Sequence, residues 1–416
     1  MNRTKPFDIS KQAVWEAYKR VKANRGAAGV DDQSLQDFEA DLKNNLYKLW
    51  NRMASGSYFP PPVRRVDIPK RDGGKRPLGI PTVADRIAQT VVKMVLEPEV
   101  EPYFHPDSYG YRPNKSAIAA VGTARQLCWR YDWVLDLDIR GFYDNMDHTL
   151  LMRAVCFHTP CKWVRLYIER WLQAPVQLED GSLVQPNQGV PQGSVVGPLL
   201  ANLFLDYAFD RWMGEHHPSR PFERYADDML VHCKTEAEAT QLLGEIAQRF
   251  GECRLELHPE KTKIVYCQDG QRKRDYPQVQ FDYLGFGFQP RQSSNRWGGL
   301  FLNFSPAISA KAAKSIRQTI RSWKLHRWTQ LSIEELALQF NPVIRGWINY
   351  YGSFYRSKLA SILGQIDYAL IRWAKRKYKR LKGSSTQARH WLKRLAQRQP
   401  QLFAHWQLTL RPTAGQ

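Results

Sequence analysis

No apolar run in this 416-residue chain reaches the roughly 18 residues that a membrane-crossing helix needs. The nearest, Val195 to Leu205, is broken by Gly197, Pro198 and Asn202. A membrane partner is therefore not expected. The segment Met1 to Trp15 carries charge without the apolar block of a secretory signal behind it, so the expected compartment is the cytoplasm. Cysteine is sparse as well. The six thiols, at Cys128, Cys156, Cys161, Cys233, Cys253 and Cys267, form no C-x-x-C pair, which excludes a disulfide framework. Cys156, His158 and Cys161 make three zinc-type ligands, but no fourth stands at finger-like spacing.

Negative charge is the scarcest feature of the last third. From Arg291 onward, 23 Lys and Arg face only Glu334, Glu335 and Asp367, a net +20, whereas the first 290 residues balance at +1. Such an excess points to a polyanion, because each cation placed on a phosphate releases condensed counterions. A solvated basic tail is the alternative. Seven of the fourteen Trp (Trp297, Trp323, Trp328, Trp347, Trp373, Trp391 and Trp406) also fall here, and a disordered tail is not aromatic-rich.

The remaining text patterns as α+β. Val14, Tyr18 and Val21, then Phe38, Leu42, Leu46 and Leu49, recur at helical spacing within residues 10–60. Val63 to Pro69 and Lys75 to Ile80 flank Arg71-Asp72-Gly73-Gly74 as a hairpin. From Trp133 to Ile139 the chain alternates, which puts Leu135, Leu137 and Ile139 on one face of a strand and Asp136 and Asp138 on the other. A second hairpin is expected around Glu179-Asp180-Gly181, a helix from Leu199 to Trp212, and a third hairpin with Asp227 and Asp228 at its tip. After the polar stretch Gln289 to Gly299 the pattern turns helical, which sets a boundary near residue 300.

Transfer of a nucleotidyl group needs two divalent cations about 3.5–4 Å apart, held by a few acids from separate strands. Asp138 on one strand, with Asp227 and Asp228 on a tight turn, meets that requirement, although paired Asp at a turn is also ordinary turn chemistry. Further strings accompany them. Tyr225-Ala226-Asp227-Asp228 resembles the catalytic hairpin of reverse transcriptases, and Asp138 to His148 resembles the first catalytic strand of group II intron enzymes. The likeness continues through Arg76 to Pro81, Ser108 to Pro113, Pro191-Gln192-Gly193, His258 to Lys263 and Tyr283-Leu284-Gly285. Asn341 to Trp347 and Asn349 to Gly352 resemble the maturase region of the same family.

The resemblance implies a right-hand polymerase, with fingers and palm built on antiparallel sheet, followed by an all-α thumb and maturase domain and a basic helical tail. The expected division is 1–135 (N-terminal extension and fingers, with part of the palm), 136–290 (palm with the catalytic acids), 300–370 (thumb and maturase) and 371–416 (basic nucleic-acid-binding tail). It implies RNA-directed DNA synthesis with two Mg²⁺, held by Asp138, Asp227, Asp228 and the Ile139 carbonyl. Lys70, Lys75 and Arg76 are candidates to meet the triphosphate, Arg76 through its two-pronged fork. By the same resemblance Gln192 lies under the sugar and Tyr143 is the gate against a 2′-hydroxyl. Ser194 departs from the family, which often has a second Gly there, and so does Gly197, where Ser is common. Lys261 and Lys263 are candidate general acids for the pyrophosphate, or plain surface lysines. Asp136 shares the face of Asp138 and reads as a carboxylate paired with a nearby base.

Arg345, Arg372, Lys375, Arg376, Lys377, Lys379, Arg380 and Lys382 are the expected RNA contacts. The expected partners are group II intron RNA, an RNA template with a DNA primer, dNTPs and a DNA target. Many relatives end in a His- and Cys-rich endonuclease, and the 14 residues after Leu402 hold no Cys, so second-strand cutting is not expected. A non-enzymatic splicing factor, and a polymerase recruited to host defence or repair, remain as alternatives.

Overall fold

The computed structural model describes residues 5–69, 74–295 and 297–409. Eleven strands occur among them: β1 (Val63–Pro69), β2 (Lys75–Ile80), β3 (Trp133–Leu137), β4 (Val176–Gln177), β5 (Leu183–Val184), β6 (Phe222–Tyr225), β7 (Asp228–Cys233), β8 (Lys263–Tyr266), β9 (Phe281–Tyr283), β10 (Phe286–Ser294) and β11 (Leu300–Ile308). Their sheet orders are β2-β1-β4-β5, β6-β7-β3-β8 and β11-β10-β9. Antiparallel pairing joins β1 to β2, β3 to β8, β4 to β5, and β10 to both β9 and β11, while β1 and β4 run parallel. Helices fill most of the rest, so the expected α+β class is what forms. No described helix is long and apolar enough to cross a membrane.

The chain divides into two compact units. The first comprises Met1–Ser116, Leu137–Met229 and Thr240–Thr262. Its opening helix, Lys11–Asn24, starts where the Ser10 hydroxyl accepts the Ala13 N–H, and it buries Val14, Ala17, Tyr18 and Val21 along one face. Such a cap satisfies one of the amides that a helix start leaves without a partner. Helix Val83–Val100 begins in the same way, with Thr82 accepting from the Asp85 N–H. The β1/β2 register, from Arg64 opposite Ile80 to Pro69 opposite Lys75, matches the hairpin read from the sequence.

The helix expected from Leu199 to Trp212 is interrupted. Gly197–Leu205 runs into a π turn, Asp206–Asp210, before Arg211–His216 resumes the α-helix. There the Arg211 N–H reaches back five residues to the Asp206 carbonyl, and both Asp206 and Asp210 turn inward and are buried. π turns of this kind recur at functional sites.

The second unit comprises Ala117–Asp136, Leu230–Ala239 and Lys263–Gln416. Its helices Ala310–Ser322, Ile333–Tyr351, Arg356–Lys377 and Ser385–Arg398 share one core, with Ile316, Leu336, Ile344, Leu363, Trp373, Leu392, Phe403 and Trp406 among its members. A capping box between Ser332 and Glu335 opens the second of these helices.

Three expected boundaries fall elsewhere. Near residue 300 the chain is in mid-hairpin: β10 pairs with β11 from Phe286 opposite Ile308 to Ser294 opposite Leu300. The polar stretch that resembled a linker is the outer part of β10 and its turn. The division at 370/371 lies inside helix Arg356–Lys377, whose buried residues Leu370, Ile371, Trp373 and Ala374 continue the same apolar stripe. Arg372, Lys375, Arg376 and Lys377 are on that helix, and Lys379, Arg380 and Lys382 follow directly on its end. At 135/136, likewise, the chain changes unit only within β3 and the first unit holds residues on both sides.

Candidate active site

Asp138, Asp227, Asp228, Arg76, Tyr143, Gln192 and Lys261 all belong to the first unit. Asp138 follows directly on β3. Its carbonyl accepts the His258 N–H at 2.7 Å, the Arg140 N–H donates to Glu256 O at 2.9 Å, and Ile139 bridges Leu257 between them. In an antiparallel bridge of this pattern the middle residue turns its own N–H and C=O away from its partner. The Ile139 carbonyl thus faces away from Leu257, as an oxygen donor to a bound ion would have to. Lys261 Nζ lies 3.4 Å from Asp138 Oδ1.

Asp227 and Asp228 close the β6/β7 turn. The Asp227 carboxyl is raised above the ordinary range, by burial first and then by the Asp138 carboxylate, with Arg76 opposing. Asp228 is pushed up to about 7 by burial, then by Asp227 and Asp138, with Lys261 and Arg76 opposing. Its side chain still reaches solvent, so the repulsion among the three carboxylates is the better supported part of that shift. Acids that perturb one another in this way mark a functional site.

Arg76, on β2, is thereby brought to the acids, while Lys75 is exposed on the same strand without a recorded contact to them. Lys70 lies outside the described residues. Lys263 parts from Lys261: it sits on β8 opposite Asp136, and its charge acts on Asp282. Asp136 thus has a cation as its cross-strand neighbour, as its sequence reading required.

Gln192 stands in a loop docked on β2, its carbonyl accepting the Gly79 N–H at 2.6 Å. Gly193 is required there, since it has φ +114° and a Cβ on it would meet Gly79 O at 2.3 Å. The departure at Ser194 has a structural use: its hydroxyl bonds Gln89 Oε1 at 2.9 Å and accepts the Gly197 N–H at 3.2 Å. Gln89 also accepts the Val195 N–H and donates to buried Asp85, which in turn accepts from Tyr58 and Trp171. Nothing in the sequence singled out Gln89, because one Gln within helical text carries no pattern.

Phe142 and Tyr143 open a one-turn helix, Phe142–Asn145, behind Gly141 in left-handed backbone. Phe142 is buried against Phe204, whereas Tyr143 is half-buried, with Tyr111 and Asp227 close enough to add to the upward push that burial gives its hydroxyl. Asp147 caps the next helix by accepting the Leu150 N–H and pairs with Arg254. At the Cys156, His158 and Cys161 cluster, His158 Nε2 is engaged with the Tyr207 hydroxyl at 2.9 Å.

In the second unit the expected RNA contacts sort into groups. Arg372, Lys375, Arg376, Lys379 and Lys382 line one groove of about 670 Å³ with His326. Arg380 lines another with His390, Trp391, Arg394 and Arg398. Arg345 is exposed on its own helix. Lys377 differs from the expectation: its ammonium caps the Thr329 and Leu331 carbonyls at 3.0 and 2.6 Å, which leaves it a structural task.

Residues 68–288 match the family model described as reverse transcriptase (RNA-dependent DNA polymerase). The chain belongs to that family. Residues 313–395 match the group II intron, maturase-specific domain, so this reverse transcriptase is of the group II intron kind and an RNA-directed DNA polymerase. Among its relatives, protein YkfC of Escherichia coli (strain K12) is 32% identical over 62% of this chain and 78% of its own length. The group II intron-encoded protein LtrA of Lactococcus lactis subsp. cremoris is 27% identical over 85% of this chain and 69% of its own. A putative COX1/OXI3 intron 1 protein of Saccharomyces cerevisiae is 28% identical over 64% of this chain and 32% of its own. The reverse transcriptase match takes in all three acids, Arg76, Tyr143 and Gln192; the maturase match takes in Arg345 and the cationic groove.

Proposed function

We propose that Asp138, Asp227, Asp228 and the Ile139 carbonyl are the catalytic metal ligands of a right-hand polymerase. On this reading the first unit supplies fingers and most of the palm, and the helices from Ala310 onward supply thumb and maturase surfaces. The observation that carries it is the meeting of Asp138, at the end of β3, with Asp227 and Asp228 on the β6/β7 turn, β7 lying beside β3 in one sheet. Among the described residues no three His, Cys, Asp or Glu side chains close into a finished metal cage. Mg²⁺ prefers hard oxygen donors and completes its shell with water and substrate phosphates, so it takes only one or two carboxylates from the protein. Two bound Mg²⁺ would supply activation of the primer 3′-hydroxyl and a clamp on the departing pyrophosphate.

The chain's own residues do the remainder. Arg76 offers a planar fork to the triphosphate, with Lys75 beside it and Lys70, placed by the sequence alone, adding charge. Gln192, held to Gly79, supports the sugar. Tyr143 fills the space beside C2′. Lys261 Nζ is the candidate proton donor to pyrophosphate, because it is cationic and already at the acids. Lys263 faces Asp136 and is not part of this reading.

The substrates are dNTPs and a DNA primer on an RNA template, with a DNA target for mobility, and the setting is the cytoplasm. Intron RNA is bound by the groove of Arg372, Lys375, Arg376, Lys379 and Lys382, with Arg345 and Arg380 outside it. Changing those five groove residues to Gln should weaken RNA binding and flatten its salt dependence, by about 0.7 in log–log slope for each phosphate that is no longer neutralised. Binding titrations over a range of salt concentrations measure this, and an unchanged slope would remove the groove from the RNA interface. The acids themselves are tested by primer extension on an RNA template with Asp227→Ala.

A further inference from the structure

We propose that Arg224 is a positioning residue for the catalytic turn: it holds Ala226 in left-handed backbone and so fixes where Asp227 and Asp228 stand. Ala226 has φ +56°, a conformation that side-chain-bearing residues rarely keep unless their surroundings impose it. Arg224, two residues earlier, is wholly buried, and its Nη1 donates to the Ala226 carbonyl at 3.0 Å.

The guanidinium is itself immobilised. Its Nε and Nη2 donate to the two carboxylate oxygens of buried Asp210 at 2.8 and 2.5 Å, and Nη1 also donates to Asn202 Oδ1 at 3.0 Å. Two parallel bonds to one carboxylate fix a plane as well as a distance. Asp210 reaches this place because the π turn Asp206–Asp210 swings it inward. The Arg224 backbone is clamped by one segment through both its polar groups: its N–H donates to Asp107 O at 2.9 Å and its carbonyl accepts the Tyr109 N–H at 2.7 Å. Asn202 ties the network to the neighbouring segment by donating to Gly110 O at 2.6 Å. Gly110 packs so closely on the turn that a Cβ there would lie 2.3 Å from Ala226 N. The buried guanidinium thus joins the Ala226 carbonyl to Asp210 and Asn202, while Gly110 closes on the same turn from the neighbouring segment.

The role rests on Asp227 and Asp228 being the catalytic acids. Arg224→Lys keeps the charge but cannot reach three acceptors at once. In single-turnover extension on a primed RNA template it should lower the burst rate about ten- to a hundredfold, as a displacement near 1 Å does. Burst amplitude per folded protein should stay near wild type. Backbone hydrogen exchange in a peptide spanning the β6/β7 turn should quicken. A purely structural role would lower only the fraction of protein that is folded and leave the burst rate of the folded protein unchanged, and that result overturns the proposal. If Arg224→Lys does not fold, the neutral change Asn202→Ala decides: a lower burst rate supports the role, and a wild-type rate overturns it. Failure of the catalytic assignment itself would look different, since Asp227→Ala would then still extend the primer.

Discussion

Replacing Tyr143 by Ala should raise ribonucleotide incorporation relative to deoxyribonucleotide by on the order of a hundredfold, the cost that a misplacement near 1 Å otherwise imposes on the reacting end. The one-turn helix Phe142–Asn145 is pinned from outside: the Tyr143 carbonyl accepts the Val190 N–H at 2.7 Å, and the Met146 carbonyl accepts the Gly189 N–H at 2.8 Å. A ring held on so short a support does not yield easily to an extra hydroxyl. Neighbouring residues on a helical turn point about 100° apart, so Phe142 and Tyr143 cannot both face the nucleotide. Phe142 takes the core, at 2% exposure, and Tyr143 takes the side shared with Tyr111 and Asp227. Phe142→Ala should accordingly leave sugar discrimination alone and cost about 3–5 kcal/mol of stability. Single-nucleotide extension rates with dNTP and rNTP, together with thermal melting, separate the two. Unchanged discrimination in Tyr143→Ala would remove Tyr143 from the gate.

Strong periodicity made much of this arrangement legible in the sequence. The alternation from Trp133 to Ile139 put Asp138 on an open face because strand side chains repeat every second residue, and Leu135, Leu137 and Ile139 are indeed buried while Asp138 is not. The β1/β2 hairpin and the acid-tipped β6/β7 turn were legible from their turn residues and the apolar runs beside them. Phe142 and Tyr143 lie just past a strand but are themselves helical, so helical geometry and not strand alternation separates their side chains.

Long-range polar pairing was not legible. Arg224 reads as one charge in a short strand and Asp210 as one acid in helical text, and no local pattern says that they are 2.5 Å apart. Gln89 was hidden for the same reason. Charge density misplaced the boundary at 370/371, because a basic outer face and a domain of its own look alike in composition. Lys377 shows the same limit at the scale of one residue: its charge suited RNA, but its ammonium caps two carbonyls.

Asp227→Ala should abolish Mg²⁺-dependent extension of a DNA primer on an RNA template. On the proposed assignment this carboxylate is one of three that share the metal charge, and Asp138 and Asp228 stand at other backbone positions. RNA binding should persist, because one charge changes little against a net +21, most of it at the other end of the sequence. The most direct measurement runs wild type and Asp227→Ala side by side for extension and for RNA affinity. Lost extension with retained affinity is the expected result, and extension by Asp227→Ala at a rate near wild type would contradict the catalytic assignment.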